Sequence, residues 1–164
     1  MNLIVVVDKN WGIGRKNGLL FRLPKDMQFF REKTMGKVVV VGANTFQSFP
    51  NGALKGRTNV VLDHSGAQHP NTVTVSTLDQ LKQELEKYNS DDVFVCGGAS
   101  VYKLMLDSCK MAFVTKVASD GNAEVFFPNL DDMSNWKLVE TSAPIEDNGH
   151  VITFCTYKNT QIEK

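Results

Sequence analysis

Val95-Cys96-Gly97-Gly98-Ala99-Ser100-Val101-Tyr102 is the stretch on which the fold turns. A Val-rich run over residues 92–96 stops at two glycines and gives way to a helical pattern from about 99 to 106. A short apolar strand that leads at once into a helix is the repeating unit of a sheet covered on both faces. Outward from this stretch the alternation recurs. Strand-like runs occupy 3–7, 37–41, 59–62, 72–75, 111–117, 136–141 and 151–157. Between them, one helix opens at Pro24, where a missing N–H costs nothing in the first turn, and carries Met27, Phe30 and Thr34 on one face. A short helix follows Gly42. Another is capped at Ser76 or Thr77, with Gln80 three residues after Thr77 and Leu78, Leu81, Leu85 and Tyr88 at helical spacing. The expectation is an α/β fold: a central eight-stranded, mostly parallel sheet with an antiparallel C-terminal strand, flanked by about four helices. The last two strands have no helix between them, which predicts a hairpin-like ending through Glu146-Asp147-Asn148-Gly149.

The chain has 164 residues, and no repeat or linker divides it, so 1–164 reads as one domain. Lys+Arg and Asp+Glu are 18 each, which disfavours a general nucleic-acid binder for want of a positive field. With 42% hydrophobic residues it has the means to build a core, and it is not a disordered tail. The longest apolar run, 3–7, is far short of the ~20 residues of a membrane span, and no signal peptide is evident. The cysteines, Cys96, Cys109 and Cys155, form no close pair and read as reduced thiols of a cytoplasmic protein. His64, His69 and His150 are scattered, so no metal site is expected.

In open α/β sheets ligands sit beyond the carboxyl ends of the strands, here just after Val7, Val41, Leu62, Cys96 and Val117. Five features lie near those ends, each with a plainer alternative. Gly97-Gly98 before a helix suits a bound phosphate, or is simply a tight turn. Gly12-Ile13-Gly14 with Gly18 misses the dinucleotide fingerprint and reads as a lid over a pocket or as a surface loop. Asp26 is either a first-turn acid that complements the helix dipole or a carboxyl at the edge of an apolar pocket, its pKa raised by desolvation. Arg57, in Gly56-Arg57-Thr58-Asn59, is a solvated cation or a carboxylate clamp. Asn44 or Thr45 caps the helix after Gly42, or that junction joins Gly97-Gly98 in holding a ligand with two phosphates.

The order of these features resembles the dihydrofolate reductase family over essentially the whole chain. The segments that carry the likeness are Gly12-Ile13-Gly14 through Leu19, Asp26, Phe30 and Thr34; Val41-Gly42 with Thr45; Gly56-Arg57; Cys96 through Tyr102; and Phe127-Pro128. The resemblance implies reduction of 7,8-dihydrofolate to tetrahydrofolate with NADPH, NADH not being excluded, in one-carbon metabolism. By this likeness Asp26 binds the pteridine and helps protonate its ring nitrogen, with Phe21 and Thr115 as further catalytic residues. Ile4, Val5, Met27, Phe30, Ser48, Leu54, Arg57, Cys96 and Thr115 match the substrate pocket, Arg57 gripping the glutamate carboxylate. Val6, Ile13, Gly14, Leu19, Gly42, Ala43, Asn44, Thr45, Leu62, Asp63, His64, Gly97, Gly98, Ala99, Ser100, Val101 and Tyr102 match the cofactor groove. The loop 10–23 looks like the family's lid, and bacterial members are commonly monomers.

The chain also departs from the family. Leu20-Phe21 replaces a Pro-Trp pair, and Glu124 replaces an Asp that meets the lid. Ala43 and Ser100 stand at positions where basic residues often meet the 2′-phosphate, and Asp63 replaces a small hydroxyl residue. This predicts weakened discrimination of NADPH from NADH. Two alternatives are a pyrimidine reductase of the same fold, as in riboflavin synthesis, and a non-catalytic nucleotide-binding module. The module would have no need of Asp26.

Overall fold

The structure, a computed structural model, describes residues 1–15 and 18–162. The strands are β1 (Asn2–Val7), β2 (Gly12–Gly14), β3 (Val38–Gly42), β4 (Thr58–Leu62), β5 (Val73–Val75), β6 (Val93–Gly97), β7 (Met111–Val117), β8 (Val125–Phe126), β9 (Trp136–Thr141), β10 (Ile145–Asp147) and β11 (His150–Asn159). The helices are α1 (Pro24–Thr34), α2 (Ala43–Gln47), α3 (Leu78–Leu85) and α4 (Ala99–Met105).

All eight expected strands lie in one sheet. Its order is β10-β11-β7-β1-β6-β3-β4-β5, with β9 also paired to β11. The six strands from β7 to β5 along that order are parallel, and β11 reverses against β7. The expected C-terminal hairpin is present, but its first arm is β10, a strand the sequence reading did not include. Asp147 pairs with His150, and Asn148 and Gly149 between them take φ of 51° and 83°. Positive φ at both central residues is the two-residue turn whose twist matches antiparallel strands, and Asn-Gly is its preferred sequence.

The alternation along each strand divides the core. Leu3, Val5, Val7, Val40, Val60, Val95 and Val114 share one cluster with Leu81 and Leu85 of α3 and Val101, Tyr102 and Met105 of α4. Val41, Val61 and Cys96 turn to the opposite side with Phe46 of α2. Val6, Val117, Ile152 and Phe154 form a third group with Phe21 and Leu23, which lead into α1. The helices begin as their sequences dictate. Thr77 accepts the Gln80 N–H at 3.1 Å, and Gln80 Oε1 accepts the Ser76 N–H at 2.8 Å, one residue outside the usual reciprocal box. Such a cap stabilises by about 1 kcal/mol. At α2, however, Gly42 is the cap residue and Asn44 and Thr45 lie inside the helix, so neither caps it. Among the described residues no helix is long and apolar enough to cross a membrane.

Candidate active site

Asp26 lies two residues inside α1, whose cap position is held by Leu23, a residue with no side-chain acceptor. The turn is instead fastened from a distance: Asp147 Oδ2 accepts the Asp26 N–H at 3.0 Å. The Asp26 side chain turns inward and is only 8% exposed. Thr115 donates its hydroxyl to Asp26 Oδ1 at 2.6 Å from β7, the strand that pairs with β1. Burial raises the Asp26 carboxyl, the Thr115 hydrogen bond opposes this, and the Asp147 charge adds to it, so the pKa stands at about 6. An acid that merely complemented the helix dipole would face water and ionise near its ordinary value. The desolvated reading of Asp26 is therefore the one the geometry favours. Phe30 is partly buried one turn on, and Met27 is 57% exposed.

The two glycine junctions lie side by side. Val41 pairs with Gly97 where the β3–β6 register shifts, and Gly42 pairs with Leu62. Gly97 has φ of 125°, a conformation strained for any side chain, and its peptide to Gly98 is cis. A Cβ on Gly98 would meet Thr45 Oγ1 at 2.8 Å, and one on Gly42 would meet Val101 at 3.1 Å. Neither α2 nor α4 has a side-chain cap, so the N–H groups of both first turns are left to other acceptors. Ala43, Ala99 and Ser100 begin these turns, with Ser100 exposed. Tyr102 and Val101 point into the core, and the Tyr102 hydroxyl donates to the Ile4 carbonyl at 2.7 Å.

Arg57 reaches toward the far end of α1. Its Nη1 donates to Thr34 Oγ1 at 3.3 Å and its Nε to the Lys55 carbonyl at 3.0 Å. Buried Asn59 shapes this corner: its side chain accepts the Leu54 N–H and donates to the Leu54 and Arg57 carbonyls. Past β4, Asp63 Oδ1 accepts from the Ser65 hydroxyl at 2.6 Å and the Ser65 N–H at 2.9 Å, while Oδ2 meets His69 Nε2 at 2.7 Å. The Ser65 hydroxyl, then His69 and the Ser65 N–H, hold its pKa down at about 2. His64 is exposed and its Nδ1 lies 3.0 Å from the Ser76 carbonyl.

The loop 10–23 is not a plain surface loop at its root. β2 pairs with β8, and buried Asp8 accepts the N–H groups of Asn10 and Gly12 at 2.8 Å and of Gly121 at 2.9 Å. Burial alone would raise the Asp8 carboxyl; the N–H groups of Gly121, Gly12 and Asn10 bring it below its ordinary value. Ile13 and Gly14 are partly buried and Leu19 is 84% exposed. Phe21 packs edge-on against His150 with ring centroids 4.7 Å apart. Residues 16 and 17 of the expected lid lie outside the described residues.

Asp26, Thr115, Val6 and Cys96 thus share one side of the sheet, with Ile4 alternating onto that side. Val5 does not join them: its side chain belongs to the opposite cluster, because it sits one residue out of phase with Ile4 and Val6. Leu62 and Val101 are buried in that opposite cluster too, and Ser48 is exposed at the end of α2. Three residues that hold the site, Asp8, Asn59 and Asp147, were missed by sequence reasoning. Asp8 and Asp147 are polar residues that bond to distant segments, at Gly121 and Asp26, and Asn59 is a buried polar residue that ties its own turn together; the polar interruption at Asp8 directly after an apolar strand was a local signal.

The profile of the dihydrofolate reductase family matches residues 1–159. The dihydrofolate reductase of Schistosoma mansoni is 31% identical over 96% of this chain and 95% of its own. That of Buchnera aphidicola is 26% identical over 94% of this chain and 95% of its own. A solved structure of the Enterococcus faecalis dihydrofolate reductase, complexed with NADP(H) and RAB-propyl, superposes with a TM-score of 0.85 at 28% identity, covering 96% of this chain and 94% of the other. With a buried acid on α1, paired glycine junctions on one sheet edge and this match along nearly its full length, the chain belongs to the dihydrofolate reductase family.

Proposed function

We propose that the protein reduces 7,8-dihydrofolate to 5,6,7,8-tetrahydrofolate with NADPH, all of 1–164 acting as one cytoplasmic, monomeric domain. The observation that carries this reading is Asp26, a buried carboxyl with a pKa of about 6 and a hydroxyl donor on one oxygen. Such a group holds a proton near neutrality and forms strong hydrogen bonds to a heterocycle with adjacent N–H donors. Asp26 binds the pteridine and raises the population of substrate protonated on the ring nitrogen beside the carbon that is reduced. Thr115 fixes the rotamer of Asp26, and Ile4, Met27, Phe30, Leu54 and Cys96 form the apolar walls that exclude water. Arg57 holds the glutamate carboxylate, and Phe21 closes the mouth.

NADPH, when bound, supplies the hydride. The close approach of Gly42 and Gly98 fits it: side chains there would fill the space in which backbone N–H groups meet phosphate. Gly97, Gly98, Ala99 and Ser100 form one half of that cradle, and Gly42, Ala43, Asn44 and Thr45 the other. Val6, Ile13, Gly14 and Leu19 line the nicotinamide end; Asp63 and His64 line the adenosine end, with buried Leu62, Val101 and Tyr102 in support. Asp63 already carries hydrogen bonds from Ser65 and His69 and stays ionised, which favours a ribose hydroxyl over a 2′-phosphate. Weak discrimination between NADPH and NADH follows.

The test is cofactor oxidation followed by absorbance with dihydrofolate, first with NADPH and then with NADH. Folate-dependent oxidation with both supports the whole reading. A preference for NADPH of ~1000-fold or more, about 4 kcal/mol, removes the cofactor part. Folded protein that oxidises neither cofactor refutes the reductase assignment, and turnover of a pyrimidine substrate in its place would favour the related reductase.

A further inference from the structure

Asp147 stands in a polar stretch, Glu146-Asp147-Asn148-Gly149, where an acid would ordinarily point into water. It is instead 2% exposed. Its Oδ2 accepts the N–H of Asp26, a residue 121 positions earlier, at 3.0 Å. Two further bonds tie the same hairpin to the same segment: Lys25 Nζ to the Glu146 carbonyl at 2.6 Å, and Asn148 Nδ2 to the Arg22 carbonyl at 2.8 Å. α1 supplies no cap from its own sequence, since Leu23 has no acceptor. A carboxylate at a helix N-terminus satisfies an orphan N–H and complements the dipole. Asp147 therefore does for α1 what a capping Ser or Asp does for other helices, from across the fold.

We infer that Asp147 is a positioning residue for Asp26: it caps the first turn of α1 so that the Asp26 carboxyl meets Thr115, and it keeps a second carboxylate beside that carboxyl. Its bearing on turnover rests on the reductase reading above; its bearing on the Asp26 proton does not. The groups that face Asp26 are the Thr115 hydroxyl from β7, the Tyr102 phenol from α4 and Asp147 from β10, with Lys25 adjacent on α1. His150 stands opposite Asp147 across the hairpin, its ring against Phe21 and its Nδ1 beside the Ser119 hydroxyl. A like charge disfavours ionisation of Asp26, so Asp147 acts in the same direction as burial and against Thr115.

Two variants separate capping from charge. Asp147→Asn keeps an oxygen for the Asp26 N–H but removes the charge; Asp147→Ala removes both. The direct readout is the titration of the Asp26 side-chain carbonyl by NMR in 13C-labelled protein, assigned by loss of the signal in Asp26→Asn. The expected midpoint is near 6 in the wild type, and lower by ~0.5 pH unit or more in Asp147→Asn. The pH profile of hydride transfer moves with it. A purely structural Asp147 would lower the melting temperature and leave the midpoint where it is, and that result overturns the inference. So does an Asp26 amide in the wild type that exchanges with solvent as fast as an exposed one, a measurement that needs no variant. If the wild type does not reduce dihydrofolate, the reaction assignment fails while the carboxyl titration still decides the role of Asp147.

Discussion

Replacing Asp26 by Asn should shift the stability balance between variant and wild type in the variant's favour as pH rises from acid to neutral. The folded-state pKa is raised from 3.8 to about 6, and the unfolded chain titrates near the lower value. Between those two values the folded state holds a proton that the unfolded state has lost, so stability falls as pH rises through that window. The shift of roughly two units, at 1.36 kcal/mol per unit, amounts to about 3 kcal/mol above pH 7 and to nothing well below pH 4. About 2 kcal/mol of this develops between pH 4.5 and 8. Asn keeps an acceptor for the Thr115 hydroxyl and leaves the backbone N–H to Asp147. Its amide N–H groups need partners in a buried place, a cost of about 1–3 kcal/mol that does not depend on pH. The pH dependence of the stability difference, not its absolute value, therefore reports on the Asp26 proton. Urea unfolding of both proteins, followed by fluorescence of the buried Trp11 and Trp136, gives the stability difference at each pH. The Asn variant should gain about 2 kcal/mol on the wild type from pH 4.5 to 8. Parallel stability curves across that range would show that Asp26 ionises alike in the folded and unfolded chains, and the proton-holding role would go with them.

The same Asp26→Asn protein should turn over slowly near neutral pH and recover as pH falls and substrate arrives already protonated; an unchanged neutral rate would contradict the proton role. Gly98→Ala, whose Cβ would lie 2.8 Å from Thr45 Oγ1, should weaken NADPH binding more than ~10-fold by fluorescence titration, while dihydrofolate binding changes little. Asp63→Ser should raise the ratio of NADPH to NADH efficiency by ~10-fold or more, about 1.4 kcal/mol, because it removes a charge that His69 and Ser65 hold in its ionised form. Asp8→Ala strands the N–H groups of Asn10, Gly12 and Gly121 and should cost at least about 2 kcal/mol in urea unfolding.

What the sequence made legible was what local physics decides. The Val-rich runs declared the buried strands because each must be apolar on both faces. Pro24 marked the start of α1, and Thr77 with Gln80 marked α3. Asn148-Gly149 named its own turn, yet β10 stayed hidden, since Ile145-Glu146-Asp147 carries no alternating apolar pattern. β2 and β8 were hidden for the same reason: a Gly-Ile-Gly triplet and a two-residue strand are too short to have a period. Asp26 was legible as an acid among aromatic residues, but its protonation range depends on Thr115, 89 residues away, and on Asp147. Val5, matched to the pocket by resemblance, turns its side chain to the other face of β1. In a strand covered on both faces the composition does not say which side each residue takes.

β1 sits between β6 and β7, so during synthesis it has neither neighbour until about 90 to 110 further residues have been made. The Asn2 amide bonds to the Asp91 and Val93 carbonyls, 89 and 91 residues further on. Until then, two unpaired edges of a Val-rich strand are open to any other nascent strand. Vectorial synthesis gives this topology no early resting place: the sheet condenses around β1 only once β6 and β7 are available, and that wait is a natural point for a holding chaperone to act.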